Sequence, residues 1–251
     1  MTEAQGRRGT GALVEALAAF YALDGTADDP YLARKAAPGA PLRELAQAWD
    51  RIGFALDGAR TVLDFGCRHG VFAFLARRAL GDGLNLHGCD VFAPGPYAAL
   101  HAASGLHYAG LGHPWALPYA DGSFDVVLAG GTLEHVAHQD NTLDELWRVL
   151  QPGGRLVLTH LPNAASWIEW LARRLHPAQA HHRRYRLAPL RRHLLARGFL
   201  PVRWGRHQML PASGGHLADA LFALNRPLES LWPLNRLATT LWVVAEKRLG
   251  F

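Results

Sequence analysis

Val62-Leu63-Asp64-Phe65-Gly66-Cys67-Arg68-His69-Gly70 decides the fold of this chain. Thr61–Phe65 is a short apolar run interrupted by one carboxylate, and Val71–Leu80, after the glycine turn, has helical periodicity. In open α/β sheets a ligand binds outside the carboxyl ends of the strands, where such a turn feeds a helix. Gly66 lets the backbone turn sharply against a ligand, and Gly70 keeps the helix start free of a side chain. Asp64, at the strand end, can reach a cationic amine. A dinucleotide site would need G-x-G-x-x-G with a pyrophosphate at the helix N-terminus; that triplet is absent, and Asp64 would oppose the pyrophosphate. The turn suits a cationic cofactor that carries an amino acid.

Working outward, strands and helices alternate. Leu84–Asp90 reads as the second strand, followed by a helix from Pro94 to Ser104 and a short third strand at Leu106–Ala109. Phe124–Ala129 is a fourth strand between Asp121-Gly122 and Gly130-Gly131, and a helix over Gln139–Leu150 stops at Pro152-Gly153-Gly154. Arg155–His160 is the fifth. The rhythm predicts right-handed βαβ crossovers and a mostly parallel sheet. Beyond residue 161, helices are expected at Ala164–Leu175 and Ala188–Arg197, with strands at Phe199–Arg206 and Thr239–Glu246. Before residue 58, a helix over Ala12–Leu23 and another over Leu42–Phe54 flank a Pro-, Gly- and Asp-rich loop at 24–41. The expected organisation is one domain: a helical cap (1–58), a cofactor-binding core (59–161) and an acceptor-side segment with closing strands (162–251).

A chain of 251 residues with 49% apolar and 19% charged residues can bury a substantial core. Cys67 and Cys89 have no metal-ligand spacing and make no disulfide framework, which fits a reducing cytoplasm. No window approaches the roughly 20 apolar residues that span a bilayer. The net charge is +5, and Arg173 to His207 holds ten arginines with no Asp or Glu. That run reads either as a solvated face or as a surface for phosphates on a substrate, a lipid headgroup or RNA.

Asp90, closing the second strand about 20 residues after the glycine turn, is placed to accept both hydroxyls of a ribose. Three further blocks follow in order: Leu117-Pro118-Tyr119-Ala120-Asp121-Gly122-Ser123-Phe124-Asp125-Val126-Val127, then Leu133-Glu134-His135-Val136, then Glu145-Leu146-Trp147-Arg148-Val149-Leu150-Gln151-Pro152-Gly153-Gly154. Together with the glycine turn they resemble the class I methyltransferase family, in the branch that methylates small molecules, quinones and lipid- or sugar-linked acceptors. The resemblance implies a Rossmann-like α/β fold, a seven-stranded sheet with helices on both faces and the last strand inserted antiparallel. It implies S-adenosylmethionine as cofactor, with Asp64, Gly66, Cys67 and Gly70 lining the methionine moiety and Asp90 the ribose. Val91 or Phe92 would pack on the adenine, His113, Pro114 and Trp115 would lie beside its edge, and Gly130 to Leu133 would close beneath. Two residues depart from the family pattern. Arg68 replaces a glycine, which is tolerable at negative φ with the side chain directed away. His113 replaces an acidic residue, and as a neutral imidazole it accepts one hydrogen bond.

On the acceptor side His135 and Glu134 are the first candidates for general-base work, and His160 is the next. Each also reads as a loop hydrogen-bonding residue. His181 and His182 have no carboxylate or cysteine at ligand spacing, so no metal is expected. Leu217, Leu221, Leu224, Leu228 and Leu231 make one helical stripe broken by Pro227, expected as a core, lid or dimer face. Joined to the arginine run, the stripe would instead suit an amphiphilic, phosphate-bearing acceptor at an anionic membrane surface. A small-molecule acceptor is the leading expectation. The alternatives are an RNA methyltransferase, which should bind with steep salt dependence, and a non-catalytic scaffold.

Overall fold

The computed structural model describes residues 3–23, 29–113, 115–175, 181–212 and 216–248. Its centre is a seven-stranded sheet: β1 Thr61–Phe65, β2 Asn85–Asp90, β3 His107–Gly110, β4 Phe124–Gly130, β5 Leu150–Pro162, β6 Phe199–His207 and β7 Thr240–Lys247. The strand order is β3-β2-β1-β4-β5-β7-β6. Pairings among β1 to β5 are parallel, whereas β7 lies antiparallel between β5 and β6. This is the expected Rossmann-like α/β arrangement.

Strand residues alternate between two cores, because successive side chains leave opposite faces of the sheet. Val62, Leu86, Val126, Leu128, Val157 and Val244 face helices α1 (Glu3–Tyr21), α3 (Ala40–Ile52) and α4 (Val71–Leu80). Leu63, Val127, Ala129, Leu156, Leu158 and Val243 face α6 (Gln139–Val149) and α8 (Leu187–Ala196). Each such Leu or Val contributes about 1.5–3 kcal/mol by leaving water. Since α1 and α3 share a core with the sheet, the N-terminal helices are folded onto it.

Four local differences from the sequence expectations have physical causes. The stretch 24–41 is not wholly loop: Asp29 accepts from the backbone N–H groups of Tyr31 and Leu32 and caps α2 (Pro30–Lys35), with proline in the first turn. Residues 24–28 lie outside the described residues. The segment Pro94–Ser104 is a 3₁₀ turn at Gly95–Tyr97 followed by α5 (Ala98–Ser104). β5 begins at Leu150, ahead of Arg155, because Leu150 pairs with Phe124.

The leucine stripe forms two short helices, α9 (His216–Phe222) and α10 (Asn225–Ser230); the break falls before Pro227, which lies in the first turn of α10, where a missing N–H costs little. Leu221, Leu224 and Leu231 are exposed, so these three do not form a core. Leu217's side chain lies outside what is described.

Candidate active site

The loop after β1 turns as its glycines require: Gly66 has φ +70° and Gly70 φ +78°, and a Cβ at 66 would overlap the Thr132 side chain. The N–H groups of Gly66 and Cys67 donate to the Cys89 carbonyl at 2.8 and 3.2 Å, which ties the turn to the end of β2. Asp64 is buried and accepts from the Ala73 N–H at 3.1 Å. Burial pushes its carboxyl up to about 7; the Ala73 N–H opposes this, and the nearby charge of Asp90 adds to it. Burial likewise raises the Cys67 and Cys89 thiols, so both are unreactive packing groups.

Asp90 accepts from Val91 N–H at 2.6 Å and from Arg68 N–H at 2.8 Å. A carboxylate has about four lone-pair directions, so it retains capacity for hydroxyl donors. Val91 and Phe92 follow it as exposed apolar side chains.

Arg68 breaks one expectation and meets the other. Its φ is +42°, in the left-handed region that disfavours a residue with a Cβ. The side chain turns onto the cap: its guanidinium lies 4.0 Å from the Tyr31 ring centroid and donates to Tyr97 Oη at 3.1 Å and Asp29 Oδ2 at 3.4 Å. These contacts, with the Asp90 bond to its N–H, hold the unfavourable backbone. His113 is occupied within its own loop. Its Nδ1 accepts from Ala116 N–H at 3.1 Å, so its acceptor nitrogen is already used. Trp115 stands edge-on between His113 and His138. Pro114 lies outside the described residues.

The ends of β4 and β5 supply the acceptor side. A Cβ on Gly130 would overlap Phe72, whereas one on Gly131 would meet only Glu134 Oε1 and His160 Cβ at 3.8 Å. Glu134 and His160 therefore face each other across Gly131. His160 has φ +57°, another non-glycine residue in the left-handed region. Its Nε2 lies 3.1 Å from Glu44 Oε1, and its Nδ1 lies 3.3 Å from Thr159 Oγ1. Glu44 also accepts from His207 Nε2 at 2.8 Å, and His207 Nδ1 meets Thr240 Oγ1 at 2.9 Å. Burial works against the Glu44 charge, but His160 and His207 overcome it and hold the carboxyl well below its usual range. Burial pushes His207 down, so it is neutral and donates.

His135 is mostly exposed, and its Nε2 is 3.9 Å from Glu134 Oε1, too far for a hydrogen bond. Burial raises the Glu134 carboxyl. Arg183 runs beneath this loop, donating to the carbonyls of Leu133, Glu134 and Val136. The fold thus brings Glu134 and His160 together and adds Glu44, His207 and Arg183, which sequence reasoning missed. Glu44 did leave a trace, lying four and eight residues before Ala48 and Ile52 on a helix face that is otherwise apolar.

The family model described as a methyltransferase domain matches residues 32–203, more than half of the chain. The chain belongs to the methyltransferase domain family. It is a domain of the S-adenosylmethionine-dependent class. It is similar to the demethylmenaquinone methyltransferase of Deinococcus radiodurans, at 50% identity over 50 residues covering 20% of this chain and 21% of that protein. It is also similar to the demethylmenaquinone methyltransferase of Thermus thermophilus, at 36% over 129 residues, 49% of this chain and 56% of that protein. The matches therefore span between about a fifth and a little over half of those relatives. Among solved structures, a 1,6-didemethyltoxoflavin-N1-methyltransferase from Burkholderia thailandensis superposes with a TM-score of 0.56 at 19% identity, covering 81% of this chain and 77% of that one. That likeness is one of fold.

The methyltransferase fits its cofactor by the chemistry of its donor set. Asp64 Oδ2 holds one backbone N–H, and no hydrogen bond to its second oxygen is found among the described residues. That oxygen is chemically suited to an ammonium, and the spare lone pairs of Asp90 to hydroxyl donors. An ammonium beside Asp64 favours the ionised carboxylate, so affinity requires Asp64 to lose its proton. S-adenosylmethionine affinity is expected to fall about tenfold per unit as pH drops below about 7. Calorimetric titrations between pH 5.5 and 8.5 check this, and an affinity independent of pH would refute it. Without cofactor the sign is reversed for stability. A raised folded pKa means stability present at low pH and lost as pH rises toward 7.

Proposed function

We propose that this methyltransferase domain moves the methyl group of S-adenosylmethionine to a hydroxyl of a small, apolar, lipid-linked acceptor, with His160 as the base. When bound, the cofactor supplies an electrophilic methyl group and departs as a neutral thioether. The domain must place the acceptor in line and take its proton. The observation that carries this reading is the pair Glu44–His160 at the end of β5, beside Gly131. With Nε2–H donated to Glu44, Nδ1 carries the lone pair, which exchanges the Thr159 hydroxyl for that of the acceptor and takes its proton, and the buried carboxylate stabilises the imidazolium that results. Replacing His160 by alanine is expected to lower kcat by about 10²–10⁴-fold, in line with the usual contribution of a positioned base. S-adenosylmethionine affinity should stay within a few-fold of wild type. Undiminished turnover would remove His160 from the reaction.

The apolar acceptor is supported by the molecule's own surface and by the names of the relatives above. Helix α7 (Trp167–Leu175) is turned inside out: Glu169 is buried, while Trp170 is 56% and Leu175 62% exposed, with Trp167 and Leu171 beside them. Trp167 Nε1 donates to the Met209 carbonyl, and Asn163 Nδ2 to the carbonyls of Arg236 and Ala238. These bonds place α7 beside the segment bearing exposed Leu231, Trp232, Leu234 and Leu237. Arg173 and Arg174 are exposed on α7, whereas the carboxylates nearby are engaged: Glu169 on His181, Asp219 on Arg43 and Glu229 on Arg51. No helix among the described residues is long and apolar enough to cross a membrane. We read this face as resting on an anionic bilayer, from which the acceptor enters.

The arginine run does not serve a continuous nucleic-acid stripe in this reading. Arg197 pairs with Asp140 and Asp144, Arg191 lies over Trp204 and Arg203 over Phe54. Flotation with phosphatidylglycerol vesicles should recover the protein, and phosphatidylcholine vesicles should not. The double variant W170D/W232D is expected to weaken partitioning at least tenfold, since each buried tryptophan contributes about 1.5–3 kcal/mol. Equal recovery of variant and wild type would exclude the face.

A further inference from the structure

The paired histidines 181 and 182 lack a carboxylate at ligand spacing in the sequence, but the fold supplies one from a distant loop. Glu134, His135 and His181 each place a ligand atom within 4.8 Å of the others. His181 Nδ1 is 3.0 Å from Glu169 Oε1, and Glu169 is buried. An anionic acceptor fixes Nδ1 as the protonated nitrogen, which leaves Nε2 to act as a ligand. This carboxylate–histidine arrangement is the one that orients imidazoles on metals. Glu134 contributes a second observation. Its side chain is only 3% exposed, and its Oε2 is buried with no hydrogen-bond partner among the described residues. A buried carboxylate oxygen left unsatisfied is costly, and a cation removes that cost.

The second histidine–carboxylate group of the molecule differs on this point. In Glu44–His160–His207 the ligand atoms are already joined by hydrogen bonds of 2.8 and 3.4 Å, and threonine hydroxyls meet the outer nitrogens. At rest that group has no ligand atom to spare for a cation. In the Glu134 group the separation is 3.9 Å, longer than a hydrogen bond and a few tenths of an ångström above the roughly 3.3–3.6 Å between tetrahedral ligands bonded at about 2.0–2.2 Å, a gap that a small turn of the mostly exposed His135 side chain closes. Two carboxylates, Glu134 and Glu169, stand against Arg183, whose guanidinium is spent on the carbonyls of residues 133, 134 and 136, and Lys35, whose charge also reaches His181.

We infer that Glu134, His135 and His181 form a binding site for a divalent transition-metal cation, with Glu169 orienting His181. Two imidazoles and one carboxylate match zinc and its neighbours rather than magnesium or calcium. Three protein ligands leave a position open, and Glu134 borders the same Gly131 gap as His160. A cation held there faces the acceptor and can receive an oxygen ligand from it. The inference concerns metal binding itself and does not depend on which acceptor the domain uses.

The test is titration of the purified, metal-stripped protein with Co²⁺, read by visible absorption, followed by displacement with Zn²⁺. One equivalent per chain should bind, with H135A and H181A each weakening binding at least tenfold. E169Q should weaken it about 10–100-fold, as removal of an orienting carboxylate does. H160A should leave it unchanged. S-adenosylmethionine affinity and thermal melting, measured on every variant, establish that each is folded. Absence of stoichiometric Co²⁺ binding in protein that binds S-adenosylmethionine would overturn the inference. So would binding indifferent to His135 and His181, or binding lost only in H160A.

Discussion

Asp90→Ala is expected to weaken S-adenosylmethionine binding by roughly 10²–10⁴-fold. The carboxylate has two tasks at once. It accepts from the N–H groups of Arg68 and Val91, which shapes the turn, and its remaining lone pairs are those that we propose for the ribose hydroxyls. Hydrogen bonds to a charged group contribute about 1.5–3 kcal/mol each, and two of them account for the range at 1.4 kcal/mol per decade. Arg68 amplifies the effect, because its left-handed backbone is held partly by this carboxylate. Calorimetry on wild type and variant decides the matter. A dissociation constant within threefold of wild type would mean that the ribose is held elsewhere.

Glu44→Ala should carry the second large effect, on stability and turnover together. The substitution leaves the buried His207 and the mostly buried His160 without the acceptor for their Nε2 protons. Orphaning buried polar groups costs about 1–3 kcal/mol apiece, so a loss of about 2–5 kcal/mol is expected. For a domain of this size that corresponds to a fall in Tm of roughly 5–15 °C. Glu44→Gln keeps an acceptor and the volume; it should fold nearly as well yet turn over slowly, because the charge that stabilises a protonated His160 is gone.

The pH dependence has a defined sign. His207 titrates below its ordinary value of 6.5, and Glu44 below its ordinary value of 4.5. For a depressed folded pKa, stability is present above the unfolded value and lost as pH falls through the folded one. His207 and Glu44 should therefore each withdraw stability as pH falls, below about 6.5 and below about 4.5, against the opposite contribution of Asp64, and Glu44→Gln should lose the lower stage relative to wild type. Denaturant melts from pH 4 to 8 would show it. Identical acid profiles would sink the assignment.

What could be read from the sequence was whatever the chain encodes within one turn or one strand. Asp64, Gly66 and Gly70 mark a strand end, a tight turn and a helix start within seven residues, all of them local events. Asp90 falls at the end of β2 because the crossover length sets its distance from that turn. The paired faces of the sheet follow from alternation, as in Val126, Val127 and Leu128. Glu44 and His160 are 116 residues apart, and His181 is 46 from His135. No periodicity links them, because their meeting depends on how the cap lies on the sheet and how the chain returns after α7. Arg68 misled in an instructive way. Its backbone adopts the glycine-like conformation that its side chain disfavours, and the compensation comes from Tyr31 and Asp29, in a segment that composition marks as loop. The leucine stripe misled for a different reason: periodicity reports an apolar face without saying what covers it.

The position of β7 has a further consequence for how the molecule is assembled. The last of these seven strands in chain order, residues 240–247, fills the slot between β5 and β6. A nascent chain can build the parallel half as it emerges, but β6, made some forty residues earlier, has no neighbour to pair with until β7 arrives. The exposed margin of β5 must meanwhile wait as an open edge, the kind of surface on which chains associate wrongly. Glu44 bridges the two halves through His160 on β5 and His207 at the end of β6, so its hydrogen bonds close only after the central slot has been filled. That carboxylate is thereby a late checkpoint, whose contacts form only once the slot in the sheet is occupied.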